Sequence, residues 1–283
     1  MDVVIANELG FCFGVRRAIA LVNKTLDKYF GRRICIVGDL IHNNQVVDEL
    51  KEKGISMINS AEELKKGDVL IIRSHGESPE AYQHAKKLSV EIVDATCPHV
   101  LKAQSAGKEM HAKGYDVIII GKHDHPEVRA MADHSNSKTI ISGKEEVRKK
   151  ISKNEKIGVI SQTTILKKSF DEISSEILKQ NPNAKIVNTL CSATSRIQKA
   201  ALKLAEKVNM MIVIGGYHSS NTTELARLCK GVVLTHHIEK KDDLRKEWFN
   251  GISKVGITAG TSTPQGSVNE VFRVLKDENF KNN

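Results

Sequence analysis

Aromatic residues make up only 4% of the 283-residue chain, with a single tryptophan, and that scarcity bears on how its charge is read. A formal net charge of +9 invites a nucleic-acid partner. Yet the basic residues are spread along helix-like segments, as at Lys199, Lys203 and Lys207, without the interleaved stacking rings of a nucleic-acid surface. Also absent is any apolar run near the ~20 residues needed to span a membrane, and the chain runs straight into the strand-like Asp2-Val3-Val4-Ile5 without a leader pattern. No Walker A or Gly-x-Gly-x-x-Gly pattern occurs, which disfavours a nucleotide. Five cysteines, an odd number with no Cys-x-x-Cys pair, argue against a disulfide framework and for reduced thiols. With 40% hydrophobic and 27% charged residues, the composition is that of a globular protein of the cytoplasm.

What the sequence does have is a repeat. Cys12, Cys97 and Cys191 stand 85 and 94 residues apart, and each follows an apolar stretch: Val3–Ala6, Ile92-Val93 and Ile186-Val187. Helical periodicity comes next, as in Val15, Ala18, Ile19, Val22 and Leu26, or Ile197, Ala201, Leu204, Ala205 and Val208. A short apolar strand then leads into a polar loop at His42-Asn43-Asn44, His125-Pro126-Glu127 or Ser219-Ser220-Asn221, offset from the cysteines by 30, 28 and 28 residues. A second strand ends in a second polar loop at Ser74-His75-Gly76, Gln162-Thr163-Thr164 or Thr261-Ser262-Thr263. The pattern predicts an α/β fold of three similar units, 1–90, 91–185 and 186–283. Parallel sheets made by right-handed crossovers collect ligands beyond the carboxyl ends of their strands, where these loops fall. If the units pack about a pseudo-threefold axis, the loops line one cavity.

The three repeated cysteines precede helices, where unpaired N–H groups and the helix dipole favour the thiolate that binds metal. Cys35 sits in an apolar strand and Cys229 on a helix ending at Gly231, so both read as buried fillers. Three thiolates can hold zinc, although catalytic zinc more often takes histidine and carboxylate ligands. An iron-sulfur cluster fits better, because three cysteines leave one iron of a cubane open to substrate. His42, His75 and His125, beside Asn44, Ser219, Ser220, Asn221 and Ser262, describe a pocket for a multiply charged oxyanion such as a diphosphate. Glu127 is the carboxylate of these loops; a raised pKa there suits proton delivery, with Thr163 as relay.

The run Gly10-Phe11-Cys12-Phe13-Gly14-Val15, Ile41-His42-Asn43, Ser74-His75-Gly76, Ala95-Thr96-Cys97-Pro98, His125-Pro126-Glu127-Val128, Gln162-Thr163-Thr164, Cys191-Ser192-Ala193-Thr194, Ser219-Ser220-Asn221 and Thr258–Ser262 resembles the 4-hydroxy-3-methylbut-2-enyl diphosphate reductase family over its full length. The resemblance implies a trefoil of three α/β domains around a central 4Fe-4S cluster held by Cys12, Cys97 and Cys191. It implies that His42, His75, His125, Ser219, Ser220, Asn221 and Ser262 hold the diphosphate, with Thr163 and Thr194 also touching substrate. Glu127 and Thr163 then manage the proton that lets the substrate hydroxyl, bound at the unique iron, leave as water. A small redox protein such as ferredoxin or flavodoxin is the implied electron donor. In one place the chain departs from the family, which usually has Arg directly before the glutamine at 198; here Ile197 stands there and Arg196 lies one step earlier. A non-catalytic iron-sulfur sensor and a zinc hydrolase remain as alternatives.

Overall fold

The computed structural model describes residues 1–152 and 156–277, so the last six residues of the third expected unit lie outside it. In chain order the elements are β1 (Asp2–Ile5), α1 (Phe13–Lys28), β2 (Ile34–Val37), α2 (Asn44–Glu52), β3 (Ser56–Ile58), β4 (Val69–Ile72), α3 (Pro79–Lys87) and β5 (Glu91–Asp94). There follow α4 (Pro98–Ala112), β6 (Asp116–Ile120), α5 (Pro126–Ser135), β7 (Thr139–Ile141), α6 (Lys144–Lys150), β8 (Ile157–Ser161), α7 (Lys167–Gln180) and β9 (Lys185–Ile186). The chain continues through α8 (Ser192–Ala205), β10 (Met210–Ile214), α9 (Ser220–Lys230), β11 (Leu234–Ile238), β12 (Lys254–Ala259) and α10 (Gln265–Lys276).

These strands form three parallel four-stranded sheets of one design, ordered β3-β2-β4-β5, β7-β6-β8-β9 and β11-β10-β12-β1. The central pair in each sheet comes from the apolar segments that the repeat predicts. Each sheet gains one edge strand from the stretch before a repeated cysteine: β5 before Cys97, β9 before Cys191, and β1, from the start of the chain, before Cys12. The opposite edges, β3, β7 and β11, are additions to the expected pattern. All six polar loops leave the carboxyl ends of the central strands, which is where parallel sheets present their binding groups.

The central strands β2, β4, β6, β8, β10 and β12 are rich in aliphatic residues and buried on both faces along nearly all their length, as parallel strands covered by crossover helices must be, whereas the edge strands are partly exposed. In β10 and β12, Met210, Ile212, Ile214, Val255 and Ile257 pack on Val268, Val271 and Leu275 of α10. The alternate residues Met211 and Val213 pack on Ile197, Ala201 and Leu204 of α8 and on Leu225 and Cys229 of α9. The sheet containing β6 and β8 divides likewise: Ile118, Ile120, Ile157 and Val159 meet Phe170, Ile173 and Ile177 of α7, while Val117, Ile119 and Ile160 meet Ala103 and Met110 of α4 and Val128 and Met131 of α5. Each fully buried aliphatic side chain contributes about 1.5–3 kcal/mol, so the loop-bearing strand ends rest on stiff layers. By contact density the chain forms two compact units, a smaller one of 1–15, 42–46 and 192 onward, and a larger one of 16–41 and 47–191. Among the described residues no helix is long and apolar enough to cross a membrane.

Candidate active site

In the larger unit the candidate residues form one run of contacts. The backbone N–H of Cys191 donates to the Thr163 carbonyl at 2.8 Å. Thr163 N–H donates to Glu127 Oε1 at 2.6 Å, and Glu127 N–H donates to His125 Nδ1 at 3.2 Å. The His125 ring meets His75 edge-on, with centroids 5.5 Å apart. Ser74, the residue before His75, accepts the Cys97 N–H at 3.0 Å.

Local sequence explains this arrangement. His125 is the N-cap of α5 and Pro126, with its preset φ, its first residue, which puts Glu127 in the first helical turn with its side chain turned inward. A neutral imidazole whose Nδ1 accepts carries its proton on Nε2, so His125 offers that nitrogen as a donor. Glu127 is 2% exposed, and burial pushes its carboxyl up to about 7, against the lowering pull of the Thr163 N–H and side chain. At neutral pH this side chain holds or releases a proton with little cost either way.

In the smaller unit, Cys12 N–H donates to the Thr261 carbonyl at 3.1 Å. Beside it, Ser262 Oγ lies 3.3 Å from the His42 carbonyl oxygen and 3.4 Å from Ser219 Oγ. Ser219 caps α9, accepting the Thr222 N–H at 3.3 Å, and Ser220 and Asn221 open a helix with no acidic residue in its first turn. Such a terminus attracts anions through its free N–H groups and dipole. Asn221 is 4% exposed, and neither its Oδ1 nor its Nδ2 finds a partner among the described residues. Leaving a buried amide unsatisfied costs about 1–3 kcal/mol per group, a cost that a ligand with oxygen acceptors relieves at Nδ2. Thr194 is buried in the first turn of α8, and its hydroxyl makes no hydrogen bond to the other candidates among the described residues.

The loop holding Ser262 tolerates no side chain at Gly260. A Cβ there would stand 3.0 Å from Thr222 Cβ, closer still to Thr222 Oγ1, and 3.3 Å from Asn221 Nδ2. Gly260→Ala is therefore expected to lower unfolding stability by about 1–3 kcal/mol, as overpacking does, read as a drop in denaturant midpoint at unchanged slope. An unchanged midpoint would show that the loop yields without cost.

One tie recurs in all three repeats: the N–H of each repeated cysteine donates to a carbonyl of a second polar loop, Ser74 to Cys97, Thr163 to Cys191 and Thr261 to Cys12. Backbone at each candidate ligand is thus fastened to a loop that bears a candidate substrate residue. No disulfide engages any of the five cysteines. Cys35 in β2 and Cys229 in α9 are fully buried, as expected, and burial pushes both thiols up to about 11. They are poor nucleophiles and poor metal ligands at neutral pH. Behind Cys191, Ile197 packs into the apolar cluster of Ala201, Leu204 and Met211, while Arg196 sits exposed 3.7 Å from Glu8. The departure at 197 is thus absorbed as core.

Two residues carry structure here that the sequence reading gave no role. Gln162 is fully buried and joins two loops, its Oε1 accepting the Lys122 N–H at 3.1 Å and its Nε2 donating to Thr164 Oγ1 at 3.1 Å. Glu239, just past β11, accepts the Tyr217 N–H at 2.7 Å. The bonds from Lys122 to Gln162 and from Tyr217 to Glu239 have no spacing signature, because the partners lie 40 and 22 residues apart and the donor of each pair is backbone.

Comparison with known proteins gives a consistent picture. The profile of the family described as LytB protein matches residues 3–276. A 4-hydroxy-3-methylbut-2-enyl diphosphate reductase of Caldanaerobacter subterraneus subsp. tengcongensis is 42% identical over 280 residues, covering 98% of this chain and 97% of that relative. Among solved structures, the E-1-hydroxy-2-methyl-but-2-enyl-4-diphosphate reductase of Plasmodium falciparum is similar with a TM-score of 0.94 at 28% identity, over 99% of this chain and 89% of the other. A second, (E)-4-hydroxy-3-methyl-but-2-enyl diphosphate reductase, described as the terminal enzyme of the non-mevalonate pathway, has a TM-score of 0.69 at 37% identity over 96% and 98%.

Proposed function

The chain belongs to the LytB protein family, and from that premise we propose that it is a 4-hydroxy-3-methylbut-2-enyl diphosphate reductase acting in the cytoplasm at the last step of the non-mevalonate pathway. It removes the hydroxyl of (E)-4-hydroxy-3-methylbut-2-enyl diphosphate as water, consuming two electrons and two protons, and yields isopentenyl and dimethylallyl diphosphates. The observation that carries the reading is the run Cys191–Thr163–Glu127–His125–His75, in which a buried carboxyl, its pKa raised by burial, stands between candidate metal and anion ligands.

Cys12, Cys97 and Cys191 are the proposed ligands of one 4Fe-4S cluster. The donor set suits it: three soft sulfurs at helix starts, none in a disulfide, each with its backbone fixed by a hydrogen bond. When bound, the cluster supplies the two electrons and a Lewis-acidic iron for the substrate hydroxyl. Glu127 holds the proton that the departing hydroxyl takes, and the Thr163 hydroxyl relays it. Ser219, Ser220, Asn221 and Ser262 take the diphosphate with the N-terminus of α9, and His42, His75 and His125 complete its donors. Thr194 touches substrate from the first turn of α8. A small acidic redox protein such as ferredoxin or flavodoxin delivers the electrons, drawn by the +9 charge of the chain.

The deciding experiment is anaerobic oxidation of reduced methyl viologen by cluster-reconstituted protein, with and without (E)-4-hydroxy-3-methylbut-2-enyl diphosphate. Substrate-dependent oxidation that yields both diphosphate products is expected. Lack of oxidation by protein with an intact cluster would leave a non-catalytic iron-sulfur sensor instead.

A further inference from the structure

Glu239 joins two candidate loops of the smaller unit. Its Oε1 accepts the Tyr217 N–H at 2.7 Å, and its Oε2 accepts from Asn44 Nδ2 at 3.4 Å. Asn44 lies two residues after His42, and Tyr217 two before Ser219. The loops approach closely: a Cβ on Gly216 would stand 2.9 Å from the His42 carbonyl oxygen, the atom that Ser262 Oγ also reaches. Glu239 is itself anchored from behind, because Asp243 Oδ2 accepts its backbone N–H at 2.9 Å and that of Lys240 at 3.2 Å. The Thr223 hydroxyl adds a further tie, donating to the Tyr217 carbonyl at 3.2 Å.

The charge of this residue is informative. A carboxylate near loops that hold a diphosphate opposes substrate binding by Coulomb repulsion, so any benefit it brings must come through geometry. The carboxylate also takes a charge-assisted bond from a backbone N–H, which fixes a loop more firmly than a neutral acceptor does.

We infer that Glu239 is a positioning residue for the diphosphate, clamping the His42–Asn44 loop against the Tyr217–Asn221 loop at the spacing their donors need. The inference rests on the reading above that His42 and Ser219–Asn221 hold the diphosphate. It adds a residue that touches neither substrate nor cluster, and it gives the anion site a rigidity that Ser262 alone does not provide.

Glu239→Ala, Glu239→Gln and Asn44→Ala are compared with the unaltered enzyme, all cluster-loaded, for KM, kcat and the calorimetric Kd of inorganic diphosphate. Gln keeps an acceptor for Tyr217 N–H, and its amide pairs with Asn44 once the Asn44 amide turns over. Glu239→Ala is expected to raise KM and the diphosphate Kd by about tenfold or more, with kcat within about threefold, and Glu239→Gln to restore both constants to within about threefold. Asn44→Ala gives a smaller rise, and adding it to Glu239→Ala adds nothing further, as for two members of one contact.

A fall in KM for both Glu239 variants would mean that the side chain acts only as a repelling charge, and the clamp would be wrong. Unchanged constants in Glu239→Ala overturn it equally. If Glu239→Ala does not fold, unchanged constants in Asn44→Ala or a tenfold loss in Glu239→Gln do so. Should the unaltered enzyme show no turnover while the diphosphate Kd follows the expected order, the reductase reading fails and the clamp stands.

Discussion

Glu127→Gln is expected to lower turnover by about a hundredfold to ten-thousandfold, the usual contribution of a positioned proton donor, while the cluster spectrum and KM stay near those of the unaltered enzyme. The amide retains the oxygen that accepts the Thr163 N–H, so the local geometry survives and only the mobile proton is lost. The same substitution has a second, independent signature in stability. The folded-state pKa is raised, from a usual 4.5 to about 7, because burial penalises the charged form. A carboxyl raised in this way favours the folded state below its unfolded pKa and loses that advantage as pH rises through the folded value. Between pH 4.5 and 7 the unfolded chain has given up a proton that the folded chain keeps, so stability declines across that window. Above it the cost levels off at about 3 kcal/mol. Glutamine has no such titration. Denaturant unfolding should therefore show the variant more stable than the unaltered protein at pH 8 by up to that amount, with the difference shrinking to under about 1 kcal/mol at pH 5. Turnover of the unaltered enzyme should likewise fall as pH rises past about 7, where Glu127 gives up its proton. Full turnover in Glu127→Gln would remove the proton-donor role, and a pH-independent stability difference would remove the titration on which it depends.

Serine at Cys12, Cys97 or Cys191 is expected to abolish both the cluster and the reaction, with turnover down by on the order of a thousandfold or more and iron and sulfide lost together. A hydroxyl is a harder donor than a thiolate and stays protonated at neutral pH, so it does not replace the lost ligand. Serine at Cys35 or Cys229 should leave iron content and turnover intact. Both thiols are fully buried, with burial pushing them up to about 11, and they serve as packing. Their replacement costs about 1–3 kcal/mol at most for a buried hydroxyl, less at Cys35, whose neighbour Asp68 Oδ2 at 3.7 Å can accept from it. Iron and sulfide analysis of the five variants divides the cysteines three to two. Any other division, such as full iron in Cys12→Ser, would break the proposed ligand set.

How far the sequence alone reached depends on the scale of the feature. The central strands were legible because parallel, doubly covered strands read as unbroken aliphatic runs, such as Val69-Leu70-Ile71-Ile72 and Val117-Ile118-Ile119-Ile120. Strands β3 and β7 were not, since three partly exposed residues make too short a run to stand out from a loop. β11 hides for another reason: Leu-Thr-His-His-Ile places two histidines in a strand, one stacked on Trp248 and one bonded to the Gly215 carbonyl. At the candidate site, the repeat pointed to the polar loops and their cysteines, and the burial of Cys35 and Cys229 was readable from their apolar surroundings. The fastening of the site was not, because Ser74, Thr163 and Thr261 act on the cysteines through main-chain carbonyls that every residue has. Glu239 escaped because its partners, Tyr217 and Asn44, lie 22 and 195 residues away.

The place of β1 has a consequence for how this protein is made. Its partner is β12, so that Asp2 pairs with Lys254 across 252 residues, whereas β10 and β12 pair across 45, Met210 with Val255. The longer closure costs only about 1.5 kcal/mol more in chain entropy, a modest thermodynamic burden. In time the burden is larger. Synthesis at about 5–20 residues per second leaves β1 waiting some tens of seconds for its neighbour. Through that interval Val3, and with it the segment that leads to Cys12, has no sheet to join, while β2 to β5 and β6 to β9 can already assemble. The growing chain thus carries β1 unpaired until the last sheet is finished, and of the three repeated cysteines the earliest in sequence is the last whose backbone is secured.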